Sequence, residues 1–180
     1  ERWLLDTLWA DRAVGLIGGS PKSCKSWLAL EIATSVATGT ACLDRFQVRR
    51  KGPALVYLAE DALSAVRERL SALAEHRGLP LEALDLHVIV TPSLRLDLER
   101  DLERLSATLA KLGPRILLLD PFVRIHRADE NNAQEIAAIL GRLRDLERLY
   151  QVAILIVHHT RKNAPGSHPG LALRGSGDLH

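Results

Sequence analysis

Methionine is absent from these 180 residues, and cysteine occurs only as Cys24 and Cys42. Two thiols are too few for a disulfide-built scaffold. They flank a predicted helix of about 14 residues that separates them by roughly 20 Å. A disulfide needs Cα atoms within about 7 Å, so both are expected free, as suits a reducing cytoplasm. No apolar run approaches the roughly 18 residues that cross a bilayer, so no membrane-spanning segment is expected. The opening Glu1-Arg2-Trp3 lacks the basic-then-apolar pattern of a secretory leader. The missing methionine is read as the mark of a fragment or a processed chain. Charge of one sign is scarce too: 24 Lys and Arg against 22 Asp and Glu leave only +2. Contact with a phosphate backbone would therefore need a local patch.

What is present is a core. Hydrophobic residues make up 47% of the chain, with 12 glycines and 8 prolines. That composition describes one soluble globular domain and excludes a disordered tail or a collagen-like chain. Apolar runs at Ala13 to Ile17, Ala54 to Ala59, Leu86 to Val90, Ile116 to Leu119 and Ala153 to Val157 read as five strands. Helical periods lie between them. Lys25 to Thr38 carries Trp27, Leu28, Ile32, Ser35 and Val36 along one side; Ala62 to about His76 has Val66, Leu70 and Leu73 in phase. Leu98, Leu102, Leu105, Leu109 and Leu112 step by four and three, and Ile136 to Leu149 gives the longest helix. Strands that are apolar throughout, alternating with helices, predict an α/β fold with a parallel sheet covered on both faces.

Gly19-Ser20-Pro21-Lys22-Ser23-Cys24-Lys25-Ser26 falls where the first strand turns into the first helix. It departs at one residue from the phosphate-loop pattern G-x-x-x-x-G-K-[ST]. In that pattern backbone N–H groups and the helix N-terminus surround the phosphates. Lys25 supplies a point charge, and the Ser26 hydroxyl can ligate Mg²⁺. The alternative is a helix-capping turn with Lys25 merely solvated; the position between a buried strand and a helix favours phosphate binding. Cys24 replaces a glycine suited to positive φ, at an expected cost of about 1–2 kcal/mol. Tolerance of the small thiol is favoured over loss of binding.

A nucleotide hydrolase also needs a metal-side carboxylate, a water-positioning carboxylate and a group that senses the γ-phosphate. Asp120 ends the fourth strand and suits the metal. Glu60 ends the second strand and could orient and deprotonate water, whereas Asp61 reads as the N-cap of the next helix. His158 and His159 end the fifth strand. Neighbouring strand residues point to opposite faces, so the pair does not chelate one metal. One is expected to face the nucleotide and the other to pack; two satisfied strand-end histidines are the alternative.

Together these segments resemble the RecA-like ATPases, specifically the family of plasmid-type RepA hexameric replicative helicases and related ATPases. The resemblance is carried by Gly19 to Gly39 (GSPKSCKSWLALEIATSVATG), Leu55 to Asp61 (LVYLAED), Leu117 to Pro121 (LLLDP), Val157 to Lys162 (VHHTRK) and Arg174 to Gly177 (RGSG). The Trp3-Leu4-Leu5 lead-in is also similar. The resemblance implies a single RecA-like P-loop domain over residues 1–180, with sequential strands ordered 3-2-4-5-1. Further strands would lie beyond the chain's end, leaving an open edge along the first strand. It implies ATP as substrate, Mg²⁺ as cofactor, and active sites shared between subunits of a hexameric cytoplasmic ring. Gly19 to Ser26 would hold the phosphates, with Ser26 and Asp120 on the metal. Lys25, Glu60, His159 or His158, and Arg174 are the candidate catalytic residues, Arg174 reaching a neighbour's γ-phosphate.

Single-stranded DNA is a possible partner. RecA-like rings pass it along loops after the fourth and fifth strands, which here hold Arg124, His126 and Arg127, then Arg161, Lys162 and His168. No aromatic interleaves them, and Asp129-Glu130 oppose the first patch, so a solvated loop is nearly as good a reading. The first functional reading is an ATP-hydrolysing motor core, a DNA helicase or DNA-processing ATPase of plasmid or mobile-element replication. The second is a nucleotide-switched regulatory or assembly module with weak hydrolysis. A P-loop small-molecule kinase is disfavoured because no Arg-rich lid is visible.

Overall fold

The structure, a computed structural model, describes residues 2–159. Five parallel strands form the central sheet: β3 (Val14–Gly19), β4 (Ala54–Leu58), β5 (Leu86–Val88), β6 (Ile116–Asp120) and β7 (Ala153–His159). Their spatial order is β3-β7-β6-β4-β5, the expected order read from the other edge. Strands β4 and β6 are buried at every position, and β7 at all but its last, because helices cover both faces.

Alternation along the strands sorts the core into two layers. Ala54, Val56, Ile116, Leu118, Ala153, Leu155 and Val157 face helices α1 (Lys25–Thr38) and α2 (Leu63–His76). Leu55, Tyr57, Leu117, Leu119, Ile154 and Ile156 face α3 (Glu99–Leu112) and α4 (Ala133–Tyr150). The same parity decides where the strand-end side chains go. Asp120 and His159 continue the α1 face, and His158 continues the α4 face.

Helix α1 is buried on nearly every side from Ala29 to Ala37, as a helix docked across the middle of a sheet must be. It ends at Gly39, whose φ of 79° lets its N–H return to Ser35 O at 2.7 Å. At the start of α4, Asn132 Oδ1 accepts from Gln134 N at 3.1 Å and Glu135 N at 3.4 Å. Glu135 Oε1 accepts from Asn132 Nδ2 in return, a reciprocal cap.

One element adds to the expected architecture and three local expectations are corrected. An antiparallel hairpin, β1 (Trp3–Leu5) with β2 (Trp9–Ala10), precedes the main sheet and was not anticipated from so short an apolar pattern. Trp27 is 42% exposed instead of buried, with the Arg69 guanidinium 5.9 Å from its ring centroid. The third strand stops at Val88, since among the described residues β5 is an outer strand paired with β4 alone; Val90 is solvent-exposed. Asp61 does not cap α2, whose N-cap is Ala62; its carboxylate instead takes two bonds from Arg69, at 2.7 and 2.9 Å.

Candidate functional site

The loop from Gly19 to Ser26 is wound by two left-handed residues, Lys22 at φ 62° and Cys24 at φ 59°. The Cys24 position does therefore use the conformation that favours glycine, and it is the N-cap of α1. Its carbonyl accepts the Leu28 N–H at 3.0 Å, which starts the helix. Ser20 O is the loop's internal anchor, accepting from Lys25 Nζ at 2.6 Å and from Ser23 Oγ at 2.8 Å. Lys25 Nζ also reaches Ser23 Oγ at 3.3 Å. Gly19 lies close under these side chains: a Cβ there would lie 3.0 Å from Ser23 Oγ and 3.5 Å from the Lys25 side chain, so Ser23 would have to shift slightly. Lys25 is buried, and burial lowers its pKa, with the Asp120 charge opposing. Such an ammonium gains from an anion brought beside it.

Across the loop, at the end of β6, Asp120 is 5% exposed. Burial raises its pKa, while the Ser26 hydroxyl bond and the nearby His159 lower it and the Asp61 and Glu60 charges raise it further. Its Oδ2 is buried without a hydrogen-bond partner. A buried carboxylate near the Ser26 hydroxyl, with its Oδ2 unpaired, fits a divalent cation's need for oxygen ligands. Ser26 and Asp120 are thus together, as the motif requires. Among the described residues no group of three His, Cys, Asp or Glu side chains is placed to hold a metal ion.

The histidines divide as parity dictates. His159 pairs in register with Gly19, the first residue of the loop, and lies on the α1 face near Asp120; its Nδ1 is buried without a partner. His158 is buried on the other face. Its ring stands edge-on to Phe122 with centroids 5.9 Å apart, and Nδ1 is 3.8 Å from Glu130 Oε1. Burial lowers its pKa; Glu130 opposes, whereas His159 and Lys25 add to the lowering. The choice left open by the sequence thus becomes geometric: His159 borders the phosphate loop and His158 packs.

Glu60 lies two residues beyond β4 rather than at its end, exposed, with Ala59 N bonded to Asp120 O at 2.8 Å. Its carboxylate accepts from Arg124 Nε at 2.9 Å. Arg124 closes a short 3-10 helix, Phe122–Arg124, entered through a cis Asp120-Pro121 bond. The sequence reading placed Arg124 on a loop for nucleic acid and missed this pairing, which spans 64 residues of chain. Arg127 is likewise held, its Nε 2.8 Å from Asp97 Oδ2.

His126 is corrected outright. Expected on a surface loop, it is 2% exposed and packs on Phe122 with ring centroids 4.4 Å apart. Neither ring nitrogen makes a well-formed hydrogen bond. A short loop returning to the sheet buries whichever side chain faces Phe122, which charge counting does not register. Arg161, Lys162, His168 and Arg174 lie outside the described residues.

Residues 1–165 match the model of the AAA domain family. A solved structure of an ATPase domain superposes on 94% of this chain and 66% of its own length, with a TM-score of 0.66 and 17% identity. That likeness is one of fold, a RecA-like P-loop sheet, and this chain spans just under two thirds of the structure it matches. With the family's match running from the hairpin through the whole sheet and past its last strand, the chain belongs to the AAA domain family.

Proposed function

We propose that this domain binds ATP with its phosphates in the Gly19–Ser26 loop and hydrolyses it as a RecA-like motor core, within a protein of the RepA-type replicative helicase family. The observation that carries the reading is the convergence of Lys25, Ser26 and Asp120, with Asp120 Oδ2 lacking any hydrogen-bond partner. Residues 1–180 act as one ATPase domain. Lys25 exchanges its bond to Ser20 O for phosphate oxygens, and the backbone of Ser20, Pro21, Lys22, Ser23 and Cys24 shapes the cradle. Ser26 and Asp120 would hold Mg²⁺, which when bound supplies charge neutralisation for the phosphates. Glu60 accepts the proton of the attacking water, and His159 reads the γ-phosphate side from the loop's own face. Arg174 serves a neighbouring subunit's site in a ring, and single-stranded DNA is the polyanion moved in plasmid or mobile-element replication in the cytoplasm.

The test is Lys25→Ala and Glu60→Gln, with binding of a fluorescent ATP analogue and phosphate release measured separately. Loss of binding in the first, and of turnover alone in the second, supports the reading; unchanged affinity in Lys25→Ala overturns it. The strained Cys24 backbone favours a second reading, a nucleotide-switched regulatory or assembly module. Tight binding with negligible turnover in the full protein, with and without single-stranded DNA, would select that reading.

A further inference from the structure

Trp27 stands exposed in the first turn of α1, directly after the loop that the phosphates would fill. Among the described residues no other Trp, Tyr or Phe is so exposed. One face of its ring is covered, since the Arg69 guanidinium lies over it, 5.9 Å from the centroid. That arginine is itself fixed: Nη1 donates to Asp61 Oδ2 at 2.7 Å and Nη2 to Asp61 Oδ1 at 2.9 Å, and both side chains are only 25% exposed. A two-point bond to a carboxylate sets the guanidinium plane. Asp61 in turn lies close enough to Asp120 for its charge to bear on that carboxyl, so the assembly borders the phosphate site. Leu28 N makes the first bond of α1, to Cys24 O at 3.0 Å. The N–H groups of Lys25, Ser26 and Trp27 therefore have no partner within the helix, and three consecutive donors suit a chain of phosphates.

We propose that Trp27 is the platform on which the base of a purine nucleotide stacks, with Arg69 and Asp61 holding its ring from behind. The inference rests on the phosphate-loop reading and adds the base to it. With the terminal phosphates at Lys25 and the metal side at Ser26 and Asp120, the phosphate nearest the ribose falls to the Trp27 N–H. The nucleoside then leaves the loop beside the Trp27 side chain. A cation on one face of the indole leaves the opposite face as the stacking surface. Stacking uses the π-face and needs no hydrogen-bond complement, so adenine and guanine are both accepted and the smaller pyrimidines are held less well. The same placement accounts for a tryptophan left in solvent on a helix that is otherwise buried on nearly every side.

Binding of ATP, CTP and inorganic triphosphate, each with Mg²⁺, is measured by calorimetry on the full chain for the native protein, Trp27→Ala and Trp27→Phe. Trp27→Ala should weaken ATP about 5- to 150-fold, the range for losing one base–aromatic stack. Its affinity for inorganic triphosphate should be unchanged, and the preference for ATP over CTP should shrink. Trp27→Phe, which keeps a ring, should retain most of the ATP affinity. Native ATP affinity in Trp27→Ala overturns the platform. Equal weakening of ATP and inorganic triphosphate overturns it too, since the ring would then be supporting the loop and not the base. A native protein that binds neither ligand overturns the phosphate-loop reading and the platform with it. Tight binding of inorganic triphosphate beside an ATP affinity indifferent to Trp27→Ala removes the platform alone.

Discussion

The Arg77 guanidinium lies 2.6 Å from Glu31 Oε1, and both side chains are nearly inaccessible, at 5% and 11% exposure. Arg77 follows α2 directly, and Glu31 is in the middle of α1. The same guanidinium donates to Ser35 Oγ at 2.9 Å, Thr40 Oγ1 at 2.8 Å and Leu73 O at 2.9 Å. Glu31 Oε1 also accepts from Leu43 N at 3.0 Å. This network ties the helix that opens at the phosphate loop to the segment behind it.

Arg77→Ala leaves Glu31 without its guanidinium and should cost about 3–5 kcal/mol, the range for breaking one side of a buried pair. Urea unfolding measures it. An Arg77→Met, Glu31→Leu double variant should recover most of that loss, because the penalty comes from the stranded charge rather than from the packing.

Gly15 is a contact glycine. A Cβ on it would fall 2.5 Å from Trp9 Cζ2, so the Trp9 ring covers β3 at this point because the side chain is missing. Gly15→Ala should destabilise by about 1–3 kcal/mol through overpacking. Adding Trp9→Leu should make the two changes less than additive in a double-variant cycle.

His126 predicts an acid-side loss of stability. Burial lowers its pKa from the ordinary 6.5; Glu130, the Ala128 backbone and Asp97 oppose that, and Arg95 adds to it. The contribution is fully present above pH 6.5. Below it the unfolded chain takes up a proton that the folded ring refuses, and stability falls toward the lowered folded value. His158 is shifted the same way, so His126→Leu should flatten the fall in melting temperature between about pH 7 and 5.5 without abolishing it.

Cys24 has φ 59° at the N-cap of α1. Cys24→Gly should stabilise by up to about 1–2 kcal/mol, the left-handed penalty it removes, less the entropy glycine loses on folding. Thermal unfolding checks the stability, and nucleotide affinity should be preserved or improved. A more than tenfold loss of affinity with the fold intact would show that the thiol has a role of its own.

The sheet and the phosphate loop were legible because they are written in local signals. Apolar runs broken by glycine gave the strands, and leucines at helical spacing gave α3. Gly19, Lys25 and Ser26 sit where strand turns into helix, so their chemistry could be read from order alone. The rest depends on contacts far apart in sequence. Nothing near Glu60 announces Arg124, and nothing in His126 distinguishes a loop histidine from one tucked against Phe122. The β1–β2 hairpin escaped because strands of three and two residues carry no period, and its position depends on Gly15 leaving room for Trp9. Parity along β7 was legible in principle: two adjacent histidines must face opposite layers, and only the identity of each layer required the structure.

Asp120 offers the sharpest separation of stability from function. Burial raises its pKa above the ordinary 3.8, so the folded state holds its proton to higher pH than the unfolded chain does. A group shifted in that sense contributes its full stability below pH 3.8 and loses it as pH rises through the folded value, so at neutral pH the buried charge opposes folding. Asparagine keeps the shape and an acceptor oxygen but carries no charge. Asp120→Asn should therefore raise the urea midpoint at pH 7, and the gain should shrink as pH is lowered toward about 4 and the native carboxyl takes up protons. Hydrolysis should move the other way, falling about a hundredfold or more if the carboxylate helps hold the metal. Parallel urea titrations at the two pH values, with phosphate release on the same preparations, test both halves. A variant that is less stable at pH 7 would mean that Asp120 is held by contacts worth more than its desolvation. A variant that is more stable but fully active would remove Asp120 from the site.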